Sequence, residues 1–113
     1  MSASPPPGTV LCRVADIPET GLALEKDGFR LAVVRRGDLV TAFINACAHF
    51  GVRLNATPER GFVDPASGAL VCHVHYARYA PEDGRCLSGE CDGDGLTPVL
   101  VRVRDGQVVV GSG

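Results

Sequence analysis

No apolar run in the 113 residues approaches the roughly 20 needed to cross a bilayer as a helix, so no membrane-spanning segment is expected. Excess positive charge is missing too. Eleven Lys and Arg stand against 13 Asp and Glu, a net charge of -2, and only Arg35 and Arg36 are adjacent. Nucleic acid binding needs a clustered basic surface to displace counterions, so a nucleic acid partner is not expected. The opening MSASPPPG has no basic n-region, no apolar h-region and no twin arginine. A secretory address is therefore not expected, and the compartment is read as cytoplasmic. Three consecutive prolines favour an extended, solvated chain, so residues 1–8 are expected as a flexible leader and residues 9–113 as one domain.

Room for helices is also lacking. Glycine and proline together supply 22 of the 113 residues (14 and 8) and interrupt the chain every few positions. Strands need only about five residues and fit between such interruptions. Residues 9–14 alternate, with Val10, Cys12 and Val14 expected on one face. Residues 29–35 place Phe29, Leu31 and Val33 together, and residues 39–45 are rich in β-branched and aromatic side chains. Arg36-Gly37-Asp38 reads as the turn between them. Val99, Val101 and Val103 alternate with Leu100, Arg102 and Arg104, and Asp105-Gly106 supplies a two-residue turn into residues 107–110. The pattern predicts an all-β fold of short antiparallel strands, a sandwich or partly open barrel. Residues 47–54 and 72–83 break the strand rhythm and are expected as loops at strand ends.

What the chain does have is cysteine beside histidine. There are five cysteines, and all three histidines lie within four residues of one. In a reducing compartment such cysteines are ligands, packing residues or redox groups before they are a disulfide framework. The first loop reads Asn45-Ala46-Cys47-Ala48-His49-Phe50-Gly51 and contains Cys-x-His. The second reads Cys72-His73-Val74-His75-Tyr76 and contains Cys-x-x-His. Each supplies one soft thiolate and one imidazole, a donor set that suits zinc or an iron–sulfur centre and not a hard cation. A structural Cys₂His₂ zinc site, in a zinc-stabilised interaction module, is one reading of the four residues. Cys-x-His matches zinc-finger spacing poorly. The other reading is a [2Fe–2S] cluster with two thiolates on one iron and two imidazoles on the other.

At these residues the chain resembles the Rieske family, over residues 10–110. The family pattern is Cys-x-His, a β-hairpin, Cys-x-x-His and then a third, glycine-rich loop, matched here by Gly84-Arg85-Cys86-Leu87-Ser88-Gly89-Glu90-Cys91. The resemblance implies a Rieske-like antiparallel sandwich whose cluster is bound by Cys47, His49, Cys72 and His75. The chain departs from the pattern in three places. The 22 residues between His49 and Cys72 form a long insert, with an extra loop at 55–60 before a hairpin at 62–71 turning on residues 64–68. Tyr76 stands where a glycine commonly follows the second ligand histidine, and Glu90 where proline is frequent.

Other residues near the motifs carry plainer readings. His73 is expected to point outward as a surface histidine, and Cys12 to pack as a small hydrophobe. Cys86 and Cys91 are close enough for a disulfide, whereas a reducing compartment favours two thiols, and the sequence leaves both open. The bridge of high-potential Rieske proteins cannot form, because Val52 and Val74 occupy its positions. Phe50, Val52 and Tyr76 are expected as a hydrophobic shell or as an apolar docking rim. Glu82, Asp83, Glu90, Asp92 and Asp94 form a solvated acidic stretch able to steer a basic partner. Ala77 and Tyr79 match positions that carry Ser and Tyr in high-potential relatives.

The resemblance implies an electron-transfer component and not an enzyme, a ferredoxin passing electrons from a flavin-dependent reductase to a terminal oxygenase. A small Rieske subunit of a larger reductase, similar to that of nitrite reductases, is the alternative. With His49 and His75 committed, the mononuclear iron site of an oxygenase α-subunit cannot be built.

Overall fold

A computed structural model describes residues 5–46, 54–55, 61–73, 76–88 and 95–111. Ten short strands account for the regular structure there, with one 3₁₀ turn at Val14–Asp16 and no α-helix among the described residues. No helix among them is long and apolar enough to cross a membrane.

Local turn chemistry builds the central sheet. Strand β2 (Leu22–Lys26) passes into β3 (Phe29–Arg36) through Asp27-Gly28, both in the left-handed region at φ 51° and 83°. That is the conformation a tight hairpin requires, and Asp-Gly adopts it at little cost. Strand β4 (Leu39–Ile44) follows β3 through Gly37-Asp38, in register from Arg36 opposite Leu39 to Leu31 opposite Ile44. Strand β8 (Pro98–Val99) closes the order β2-β3-β4-β8. A second sheet joins β1 (Val10–Arg13), β10 (Gln107–Val110) and β9 (Val101–Arg104). The expected Asp105-Gly106 hairpin turn links the last two, at φ 52° and 75°. A third, smaller sheet has the order β5 (Leu70–Val71), β6 (Arg78–Tyr79) and β7 (Cys86–Ser88). All pairings are antiparallel, and the arrangement is an open sandwich and not a closed barrel.

Strand β3 is buried on both faces: Leu31, Ala32, Val33 and Val34 are each at most 4% exposed. Two cores therefore form, one on each side of the central sheet. Leu31, Val33 and Ala42 face the β1-β10-β9 sheet, where Val99, Val108, Val110 and Ile17 join them. Ala32, Val34 and Phe43 face the small sheet and pack with Leu54, Phe62, Leu70, Cys72, Tyr79 and Leu96. Each Val, Leu, Ile or Phe among them stabilises the fold by about 1.5–3 kcal/mol when fully buried. Gly84 is needed at the edge of this second core. It sits at φ 78°, and a Cβ there would meet the Phe43 ring at 2.7 Å.

Several local expectations are corrected. Val10 is 40% exposed and does not share a face with Cys12, because the pairing with β10 slips between them, a bulge that resets the alternation. Leu11, Cys12 and Val14 pack on the core instead, and burial with nearby Asp16 pushes the Cys12 thiol pKa up. Strand β2 was not expected, nor were β6 and β7 within and after the second loop. Of residues 5–8, Pro6, Pro7 and Gly8 are exposed. Pro5 is fully buried, and Gly8 donates its N–H to the Val110 carbonyl at 2.7 Å.

Candidate metal centre

The two expected ligand loops leave the same end of the fold. The first departs from β4, whose final apolar residue Ile44 is followed by Asn45. The second begins at Cys72, directly after β5. Of the expected ligands, Cys72 is described; Cys47, His49 and His75 lie outside the described residues, as do Phe50, Val52, Val74, Gly89, Glu90, Cys91, Asp92 and Asp94. Among the described residues, no group of three or more His, Cys, Asp or Glu is placed to hold a metal ion.

Cys72 is a wholly buried thiol in the core shared with Leu70, Ala77 and Tyr79. Its N–H donates to the Ala77 carbonyl at 2.9 Å, closing the loop over residues 72–77. A soft sulfur donor in a dry, apolar wall suits an iron–sulfur centre, where water exclusion and the surrounding dipoles tune the metal. Within this loop Tyr76 has φ 56°. This left-handed backbone costs about 1–2 kcal/mol for a residue with a Cβ. Tyr76 is 74% exposed.

His73 is exposed, as expected, yet its ring is not idle. Its backbone N–H donates to the Leu54 carbonyl at 2.9 Å, and its Nδ1 lies 3.1 Å from the same oxygen. A carbonyl only accepts, so Nδ1 carries the proton and is not available as a ligand atom. Leu54 is tied in turn to the end of β4. Asn45 Oδ1 accepts the Leu54 N–H at 2.8 Å, and Asn45 Nδ2 donates to Asn55 Oδ1 at 3.0 Å. Both asparagines are 3% exposed. Sequence reasoning passed over this pair. The available signal was a polar residue at the end of an apolar strand, two positions before a candidate ligand.

Tyr79 has no exposed surface and Ala77 only 2%. Both point into the core that holds Cys72, and Tyr79 lies opposite Leu70 on one side and Cys86 on the other. Cys86 is disulfide-bonded, which departs from the two thiols that a reducing compartment favours. Its expected partner, Cys91, lies outside the described residues.

Charged groups brace the small sheet from outside. Arg78 on β6 reaches Asp64 Oδ2 at 3.0 Å and Ser67 Oγ at 2.7 Å, fastening the expected hairpin over residues 64–68 to the strand beside it. The Arg78 hydrogen bond, helped by the Ala66 N–H and the Ser67 hydroxyl, holds the Asp64 carboxyl below its ordinary pKa. Asp83 is lowered first by the Arg85 N–H. The Arg85 guanidinium lies 3.2 Å from Asp83 and 3.5 Å from Glu82, so its single positive charge is shared between these two members of the acidic stretch. Beside Cys72 a cleft of about 260 Å³ opens between Leu54, Phe62, Val71, His73 and Tyr76.

The motif order, the buried Cys72 and the open sandwich agree with what comparison with known proteins finds. The family model of the Rieske [2Fe-2S] domain matches residues 8–103. The chain belongs to the Rieske [2Fe–2S] domain family, and a Rieske-type [2Fe–2S] cluster is its cofactor. Among solved structures, the ferredoxin of carbazole 1,9a-dioxygenase from Nocardioides aromaticivorans IC177 superimposes with a TM-score of 0.77 at 22% identity. The alignment covers 96% of this chain and 100% of that one. The Sphingomonas yanoikuyae B1 ferredoxin gives 0.73 at 20% identity, covering 94% and 99%. A chain from the complex of reduced oxygenase and oxidized ferredoxin in carbazole 1,9a-dioxygenase gives 0.71 at 26% identity, covering 91% of each. Comparison with curated proteins gives no match.

Proposed function

We propose that this chain is a one-electron carrier that accepts electrons from a flavin-dependent reductase and delivers them to a terminal oxygenase. Cys47 and Cys72 hold one iron of its cluster, and His49 and His75 hold the other. The observation that carries this reading is Cys-x-His followed by Cys-x-x-His on a fold that matches ferredoxin chains over nearly their full length. The likeness to a chain from a complex of oxygenase and ferredoxin supports the choice of partner.

Bound there, a [2Fe–2S] cluster takes up and returns one electron, at a potential raised by imidazole ligation. The chain's own residues shape that exchange. Cys72 and Tyr79 keep the inner side dry, while exposed Tyr76 presents an apolar surface beside His75 for a short-lived encounter.

The test is anaerobic reduction of the purified brown protein by NADH and a flavin-dependent ferredoxin reductase. Bleaching by one electron per chain, followed by reoxidation on adding a Rieske oxygenase, is the expected result. A colourless protein that contains zinc overturns the reading. A protein that dithionite bleaches but neither partner touches overturns the assignment of partners alone.

A further inference from the structure

We propose that Asn45 is a positioning residue for the cluster, its side-chain amide clasping the two ends of the first ligand loop and fixing that loop against the second. The proposal rests on the reading of Cys47, His49, Cys72 and His75 as ligands.

Residues 46–53 leave from Asn45 and return at Leu54, and both Cys47 and His49 lie between. One side chain holds departure and return together. Asn45 Oδ1 accepts the Leu54 N–H at 2.8 Å and Nδ2 donates to Asn55 Oδ1 at 3.0 Å. The Asn45 backbone is itself anchored, its N–H donating to the Arg30 carbonyl of β3 at 2.9 Å. The clasp then continues into the second loop, where the Leu54 carbonyl accepts both the backbone N–H and the Nδ1–H of His73. His73 follows Cys72 directly and precedes His75 by two residues. Rigid β3, the mouth of the first loop and the start of the second loop are thus joined by one chain of hydrogen bonds.

Burial makes the clasp demanding. Asn45 and Asn55 are 3% exposed and Leu54 is 1% exposed, so a lost partner is not replaced by water. The site needs an acceptor and a donor on one short planar group. Alanine supplies neither. Aspartate supplies the acceptor for Leu54 but lacks the amide donor to Asn55, and it brings a carboxyl into a buried site. Groups that orient ligands from behind change metal retention by about 10- to 100-fold when removed.

The experiment compares the holoprotein with Asn45→Ala, Asn45→Asp, Asn55→Ala and, as a control, Asp64→Ala, which breaks a hydrogen-bonded group outside both loops. Three readouts are taken: cluster release to a chelator by visible absorbance, hydrogen exchange of the Leu54 and His73 amides, and the EPR g-values after reduction. Asn45→Ala is expected to release the cluster about 10- to 100-fold faster, with faster exchange at both amides and shifted g-values. Asn55→Ala and Asn45→Asp fall between, and Asp64→Ala releases its cluster at the wild-type rate. Wild-type release in Asn45→Ala, or an equal increase in Asp64→Ala, overturns the proposal. If Asn45→Ala does not fold, wild-type release and exchange in Asn55→Ala overturns it. A wild-type protein without a histidine-ligated cluster overturns the ligand reading and this proposal with it; a wild-type protein with one, indifferent to Asn45, overturns the proposal alone.

Discussion

Ala77 directly precedes β6 and Tyr79 lies on it, and both face the core that contains Cys72. A donor aimed at cluster sulfur stabilises the reduced state, so the loss of one lowers the potential. Ala77 has no hydroxyl, while the wholly buried hydroxyl of Tyr79 requires a partner. The midpoint potential is therefore expected in the lower half of the Rieske range of about −150 to +300 mV. Tyr79→Phe is expected to lower it and Ala77→Ser to raise it, each on the order of 40 mV. That is a hydrogen bond of ~1 kcal/mol expressed for one electron. Protein-film voltammetry checks both. A wild-type midpoint above about +150 mV contradicts the account of these two positions. Tyr76 is a separate case. At φ 56° with an exposed ring, it strains the backbone without filling the core. Tyr76→Gly is expected to stabilise by about 0.5–1 kcal/mol, because relief of strain exceeds glycine's added unfolded-state entropy. A raised Tm in thermal melts shows it. The two Cys/His loops stood out in sequence because their donor chemistry is rare. Asn45 was not, because its role depends on a return at Leu54 that only the fold creates.

At the scale of elements, short-range turn signals were the legible part. Arg36-Gly37-Asp38 and Asp105-Gly106 gave their hairpins directly, and Asp27-Gly28 carried the same signal for β2, where it was passed over. Strands β6 and β7 were not legible. They have two and three residues, and their pairing is set by the second core and not by local alternation. Strand β3 hid its position differently. Four successive buried residues read as one face plus neighbours until the second core is known. The brace between the hairpin and β6 carries its own prediction. Asp64 has its folded pKa lowered by Arg78, so its stabilising contribution is complete above the ordinary carboxylate value of 3.8. The contribution is lost as pH falls through the lower folded value. Asp64→Asn is therefore expected to reduce stability at neutral pH and to converge with wild type at low pH. Denaturant melts across pH check this, and a constant difference at every pH contradicts it.

For the whole molecule, the layering explains how a small chain holds a metal centre. The central sheet is buried on both sides, one core closing the fold and the other forming the wall behind Cys72. The central claim is that two thiolates and two imidazoles from these loops hold a [2Fe–2S] cluster. Pulsed EPR on the reduced protein tests it most directly. The account predicts magnetic couplings from two histidine nitrogens, both lost in His75→Ala or His49→Ala together with the native cluster and both retained in His73→Ala. A reduced cluster without nitrogen coupling, or couplings that disappear in His73→Ala, would contradict it.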